Sequence, residues 1–349
     1  MSEFMTRELC NPHAGQLLQI GSENYVLGGK EGDGAVGIVH KATRKKDSEV
    51  HAIKFLAPDP HFIDPEAFND VSIRFRREGD RGAKLKHPHL VRIYSYNENE
   101  DGVCFEKGFP ATPFLLMEFI RGRTLEHHIK KYPGQEHEFD ITRERLHIAI
   151  QIASALEDLH KRRIIHRDVK PANIFVGQSN QNGYPLVKLG DLGVVKWGDF
   201  NPSLSTGVVT SASQRGLGTM KYMSPEQAML PKEVTVSSDM FSFGITLIEL
   251  FTGSILASPH HVLQFMTARM ARGNTYSRYS SVGYHVAGPD EDIAAAILDM
   301  FLRGIASRPK IQELRGRLEF TYEQKFGVDW KNDLDDKIYS PRAFSSRSG

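Results

Sequence analysis

Residues 166–173 read His-Arg-Asp-Val-Lys-Pro-Ala-Asn. This short run decides the fold once its neighbours are read with it. It sets an acid at Asp168, a cation two positions on at Lys170 and a carboxamide at Asn173. Upstream, residues 142–160 carry Leu146, Ala149, Ile150, Ala153, Leu156 and Leu159 at helical spacing, which predicts an amphipathic helix leading into the run. Downstream, Ile174-Phe175-Val176 and Leu186-Val187-Lys188-Leu189 read as short strands, and Asp191-Leu192-Gly193 begins eighteen residues after Asn173.

Nearer the N-terminus, residues 31–39 read EGDGAVGIV, with Gly32, Gly34 and Gly37 in a G-x-G-x-x-G spacing. That spacing has three meanings: a dinucleotide turn, a nucleotide-covering loop between strands, or a glycine-rich turn without a ligand. The first requires a helix after the third glycine. Instead, Ile38 to Ala42, a charged turn over 43–49 and Val50 to Leu56 predict a hairpin. A phosphate loop of the Gly-Lys-Ser/Thr kind is absent too, because Gly29-Lys30 continues into Glu31. Lys54 lies on the second strand between Ile53 and Phe55, so its ammonium emerges on one face beside the glycines. A lone strand lysine is ordinarily solvated. Its candidate partner is Glu78, in a helix expected over 68–85 with Val71, Phe75 and Leu85 on the core side. Lys86-His87-Pro88 stops that helix.

The 349-residue chain is 40% hydrophobic and 25% charged, enough for a sizeable core divided into two lobes. Lys plus Arg (44) balances Asp plus Glu (43), which leaves no electrostatic footprint for nucleic acid or an anionic membrane. Two cysteines, Cys10 and Cys104, are too few for a disulfide framework and suit a reducing, cytoplasmic compartment. The most apolar run, residues 240–251, is far short of the roughly 20 residues that span a bilayer and is expected to be a buried helix. No membrane insertion is expected.

Taken in order, the glycine loop, strand lysine, helix glutamate, 166–173 run, Asp191-Leu192-Gly193 and Met223-Ser224-Pro225-Glu226-Gln227 resemble the eukaryotic-type (Hanks-type) serine/threonine protein kinases in their bacterial form. The resemblance covers about residues 22–320. It implies an α+β, bilobal protein kinase fold, with a small β-rich N-lobe carrying one main helix and a larger, mostly helical C-lobe. The expected boundaries are a leader over 1–21, a kinase domain over 22–322 and a flexible tail over 323–349. Within the domain the N-lobe covers about 22–117, the hinge 118–122 and the C-lobe 123–322.

Residue by residue, the resemblance implies ATP as phosphoryl donor with Mg2+ (or Mn2+) held by Asn173 and Asp191, hard cations suiting oxygen ligands. Lys54, fixed by Glu78, would hold the α and β phosphates. Asp168 would orient the acceptor hydroxyl or take its proton, and Lys170 would steady the γ phosphate. Gly32, Gly34 and Gly37 would cover the phosphates with backbone N–H groups. Val39, Ala52 and Phe175 would enclose the adenine, Met117 would stand at the gatekeeper position, and the Glu118 and Ile120 backbones would bond the adenine edge. Each of these apolar residues would also pack without a nucleotide.

Lys170 is the serine/threonine form of its position, which points to protein substrates phosphorylated on Ser or Thr. Arg167 can pair with a phosphate on the activation segment. The sites expected there are Thr210, Ser211 and Ser213, phosphorylated by the same chain or by a self-associated copy. Thr219 would lie beside the acceptor hydroxyl. Structural jobs fall to Glu226, paired with Arg308, and to Asp239, which would hold the catalytic-loop backbone. Gly79 and Gly82 predict a marginal helix around Glu78, since an interior glycine costs about 1 kcal/mol relative to alanine. On that ground, alanine at both positions is expected to raise basal activity. The competing functions are a kinase-fold pseudoenzyme or scaffold, whose usual mark is loss of the strand lysine or an active-site aspartate, and a small-molecule kinase, which usually lacks the Ser-Pro-Glu element.

Overall fold

The structure is a computed structural model that describes residues 12–33, 37–56, 65–96, 113–131, 139–179, 183–192, 221–229, 234–253 and 308–333. The chain has the bilobal α+β architecture, in two compact units. The first comprises Met1–Lys86 with Val91–Phe119, and the second His87–Leu90 with Ile120–Gly349.

Alternating apolar residues build the first unit's sheet. Its strands are β1 (Leu17–Ile20), β2 (Glu23–Asp33), β3 (Gly37–Arg44), β4 (Val50–Leu56), β5 (Ile93–Tyr96) and β6 (Phe114–Glu118). They lie antiparallel in the order β1-β2-β3-β4-β6-β5. The period of two sends Ile53 and Phe55 to one face, where they pack with Leu18, Tyr25, Leu27, Ala42, Phe114 and Leu116. The other face carries helix α1 (Pro65–Ala83), whose Phe75 packs with Leu56 and Leu115. The proline at the head of α1 suits a helix start, because its missing N–H would have no intrahelical partner there. The helix therefore begins three residues before the expected start at 68 and ends two before 85. Leu85 is nevertheless buried.

Gly79 has a role opposite to the one its helix propensity suggests. A Cβ built on it would lie 2.5 Å from both Cβ and Cγ of Tyr96 and 2.8 Å from Cδ2 of Leu115. The glycine is what lets α1 lie this close to β5 and β6. Burying Phe75 contributes roughly 2–3 kcal/mol, which exceeds the glycine's cost of about 1 kcal/mol. Helix α1 is held by tertiary packing, and at position 79 the ground for expecting the paired Gly79 and Gly82 alanines to raise basal activity fails, because a methyl there would crowd Tyr96 and Leu115.

In the second unit, β7 (Gly122–Thr124), β8 (Ile174–Ser179) and β9 (Pro185–Leu189) form a small antiparallel sheet. Helix α2 (Leu125–Lys131) follows β7, and α3 (Phe139–Lys161) extends the expected 142–160 stretch, with its six periodic apolar residues fully buried. After α4 (Pro225–Met229), α5 (Val236–Thr252) contains the apolar run over 240–251. It starts at the cap Thr235, whose side chain accepts from Ser237 N–H, and ends at Gly253 in the left-handed region. Among the described residues, no helix is long and apolar enough to cross a membrane.

Helix α6 (Ile311–Phe326) packs on α3 and continues past the domain end expected at 322. A short 3-10 turn, Trp330–Asp333, follows it. Trp330 is 1% exposed, with its Nε1–H donating to Glu319 Oε1 at 2.9 Å and its ring edge-on to His147. Packing therefore reaches at least this far into the segment read as a tail. Likewise β1 lies in the segment read as a leader, and its Leu18 is a core residue.

Candidate active site

In the first unit the site is built on β3, β4 and α1. Antiparallel pairing sets Val39 opposite Lys54 and Lys41 opposite Ala52. Lys54 reaches the α1 side of the sheet, where its Nζ lies 3.2 Å from both carboxylate oxygens of Glu78. The pair is well shielded, with the side chains 14% and 3% exposed. The Lys54 ammonium also lies 5.7 Å from the centre of the Phe75 ring, a favourable cation–π distance.

Gly37 opens β3 where no side chain fits, since a Cβ there would come within 2.2 Å of the Phe55 carbonyl oxygen. Gly32, next to the last residue of β2, stands opposite Val39. Gly34 lies outside the described residues. Ala52 and Met117 face each other across β4 and β6, and Glu118 still pairs with His51 as the last residue of β6. Ile120 begins the longer part of the second unit, and its Cγ2 would lie 3.5 Å from a Cβ built on Gly177 of β8.

The second unit holds the 166–173 run rigidly. Asp239, fully buried on α5, accepts from His166 N–H (2.9 Å) and Arg167 N–H (2.8 Å). His160, at the end of α3, lies 2.8 Å from the same carboxylate through Nε2. His166 Nε2 is 3.0 Å from the Gly190 carbonyl oxygen, which ties the run to the end of β9. Arg167 has φ +69° and Asp191 φ +59°. The left-handed region is unusual for such residues and typical of functional loops held by their surroundings.

The Asp168 carboxylate is gripped from two sides. Lys170 Nζ lies 2.7 Å from its Oδ2, and Asn173 Nδ2 donates to the same oxygen at 2.8 Å and to the Asp168 carbonyl at 2.9 Å. This commits the nitrogen of Asn173 inward and leaves its oxygen as the group of metal-ligating type. Gly190 N–H donates to the Asn173 carbonyl at 2.9 Å, so the β8–β9 register brings Asp191 to the same end of the sheet. One carboxamide oxygen and one carboxylate are the hard donors magnesium takes, so the residues fit such an ion. Phe175 lies on β8 between Thr124 and Lys188.

The Pro-Glu element is fixed to the C-terminal part of this unit. Arg308 binds Glu226 through both terminal nitrogens, the Nη2 contact at 3.0 Å, and Ser238 Oγ donates to Glu226 at 2.9 Å. Burial alone would raise the Glu226 carboxyl, but these donors outweigh it and hold the group below its ordinary value. Thr210, Ser211, Ser213 and Thr219 lie outside the described residues.

Three features were not anticipated from the sequence. His160 has no signal beyond its place at the end of a helix. Gln227 donates from Nε2 to the Arg167 carbonyl at 3.0 Å. Lys221, Tyr222 and Glu249 form a buried trio, with Lys221 Nζ 2.8 Å and Tyr222 OH 2.7 Å from the Glu249 carboxylate. Burial and the Glu249 charge push the Tyr222 phenol up from its ordinary value.

Residues 25–314 match the protein kinase domain family, and the chain belongs to that family. It is 34% identical over 242 residues to the serine/threonine-protein kinase PknB of Mycobacterium leprae, covering 66% of this chain and 33% of the relative. It is 32% identical over 231 residues to a probable serine/threonine-protein kinase PknB of Bifidobacterium longum, covering 66% of this chain and 30% of the relative. With the serine/threonine-protein kinase PrkC of Bacillus subtilis it shares 34% over 187 residues, 54% of this chain and 24% of the relative. The chain thus matches a third or less of the length of these curated relatives.

Proposed function

We propose that this chain transfers the γ-phosphoryl group of ATP to serine or threonine hydroxyls of proteins. The observation that carries the reading is the grip on Asp168: one carboxylate, held by Lys170 at 2.7 Å and Asn173 at 2.8 Å, on a loop pinned by Asp239. Phosphoryl transfer passes through a loose transition state, so the protein mainly positions groups and balances charge. Asp168 orients the acceptor hydroxyl and takes its proton as the bond to phosphorus forms. Lys170, already paired with Asp168, steadies the transferred group's negative charge. In the N-terminal unit, Lys54 binds the donor's α and β phosphates and Glu78 keeps its ammonium in place. Gly32, Gly34 and Gly37 cover the phosphates, while Val39, Ala52, Met117, Glu118, Ile120 and Phe175 receive the adenine. Asn173 and Asp191 would hold Mg2+ or Mn2+, which when bound neutralises phosphate charge.

The names of the relatives and the lysine at position 170 support serine/threonine acceptors. We assign autophosphorylation to the activation segment, at Thr210, Ser211 or Ser213, by a self-associated copy, with Arg167 receiving the phosphate. Cytoplasmic action is consistent with the two-cysteine composition. Incubation with labelled ATP, magnesium and casein, followed by phosphoamino-acid analysis, tests the reading. Label on phosphoserine or phosphothreonine is expected. Nucleotide binding without protein labelling would favour a scaffold, and label only on small molecules a small-molecule kinase.

A further inference from the structure

We infer that Gln227 is a positioning residue for Asp168, and this inference rests on the kinase reading above. Arg167 is the strained residue of the loop, with φ +69°, and both of its peptide groups are held by side chains from later elements. Its N–H donates to Asp239 Oδ1 at 2.8 Å, and its carbonyl accepts from Gln227 Nε2 at 3.0 Å. That carbonyl lies in the same rigid peptide plane as the Asp168 N–H. Fixing one fixes the other, and the Asp168 N–H meets His166 Nδ1 at 3.3 Å. The Gln227 bond therefore sets the direction in which the chain enters Asp168, while Lys170 and Asn173 set the carboxylate.

Gln227 can do this because its own base is fixed. It follows Glu226, which is bound by Arg308 and Ser238, and its backbone N–H lies 3.3 Å from Ser224 Oγ. Only the nitrogen end of the amide can serve a carbonyl. The other end, Oε1, is buried with no hydrogen-bond partner among the described residues. This donated bond links the Pro-Glu element to the peptide before Asp168. Displacing that element from Arg308 would release the peptide.

The test compares wild type with Gln227→Met, which keeps volume but loses the donor, and Gln227→Glu, which is isosteric. Hydrogen exchange of the peptide spanning 166–173 should quicken in Gln227→Met while exchange of α3 is unchanged. kcat for protein phosphorylation should fall roughly ten- to hundredfold, with KM for ATP within about twofold of wild type. In Gln227→Glu, burial against the Arg167 carbonyl oxygen raises the new carboxyl well above its ordinary value, so the variant should show the same deficit near pH 8 and recover toward wild type as pH falls to about 6 and below, where the protonated carboxyl donates again. Unchanged exchange and unchanged kcat would overturn the inference, and so would a Gln227→Glu deficit that ignores pH. Faster exchange in Gln227→Met, beside a wild type that labels no protein, would leave the positioning role standing and remove the kinase reading.

Discussion

Lys54 and Glu78 form a closed ion pair, with the lysine nitrogen 3.2 Å from both carboxylate oxygens. Both side chains are largely withdrawn from water, and the pair joins the central strand β4 to helix α1. Removing one partner of such a pair leaves an uncompensated charge, costing about 3–5 kcal/mol in buried examples. Glu78→Gln keeps the shape and removes the charge. We expect kcat/KM for ATP to fall about 100-fold, roughly 2.7 kcal/mol of lost stabilisation, with little change in the circular dichroism spectrum. Steady-state kinetics at varied ATP check this, and a variant within a factor of two of wild type would contradict it.

Gly79→Ala should destabilise the protein. Helix propensity favours alanine by about 1 kcal/mol, but the new methyl would sit 2.5 Å from Tyr96 and 2.8 Å from Leu115. Overpacking of this kind costs about 1–3 kcal/mol. Urea unfolding should give a lower midpoint for Gly79→Ala than for wild type, and Tyr96→Ala should not restore it, because alanine keeps the Cβ that the new methyl meets. A more stable single variant would show that propensity dominates after all.

Acid should weaken the second unit through His87 and His89. Burial, with smaller contributions from neighbouring cations, pushes His87 down to about 4 although Asp158 opposes it. Burial likewise drives the fully buried His89, whose Nδ1 meets the Val187 carbonyl at 3.0 Å, well below its ordinary value. Both native pKa values are depressed, so between about pH 6.5 and 4 the unfolded chain binds protons that the native state refuses. Stability is complete above pH 6.5 and falls as pH drops through that window, by at most about 1.4 kcal/mol per pH unit for each histidine. Urea midpoints at pH 7.5 and 5 check this, and His87→Gln should flatten the slope.

Trp330→Ala should cost about 3–5 kcal/mol, the range for truncating a buried large aromatic. The ring is 1% exposed and its N–H is bonded to Glu319. The thermal midpoint should fall by several degrees. A midpoint equal to wild type would mean that the segment after 322 adds nothing to the second unit.

Much of this arrangement was legible in the sequence, because charged and glycine positions at fixed spacing are written locally. Lys54, Glu78, Asp168, Asn173, Asp191, Glu226, Arg308 and Asp239 could each be named before any coordinates. What escaped depends on neighbours far along the chain. Gly79 looked like a flaw in a helix until Tyr96 and Leu115 were seen against it. Trp330 sat in a polar segment that gave no sign of packing on His147. Gln227 is one amide with no periodicity, and only the fold brings it to Arg167. The three extra residues at the start of α1 reflect a boundary, where a permissive proline extends a weak local signal.

The central claim is that Asp168 serves the acceptor hydroxyl of a protein Ser or Thr. Its most direct test is the initial rate of labelled phosphate transfer to casein by wild type and Asp168→Asn, compared at equal, directly measured nucleotide occupancy. The account expects wild type to label serine or threonine and the variant to lose at least about a hundredfold in rate while binding nucleotide as before. Equal rates in the two proteins, or no transfer by wild type, would contradict it.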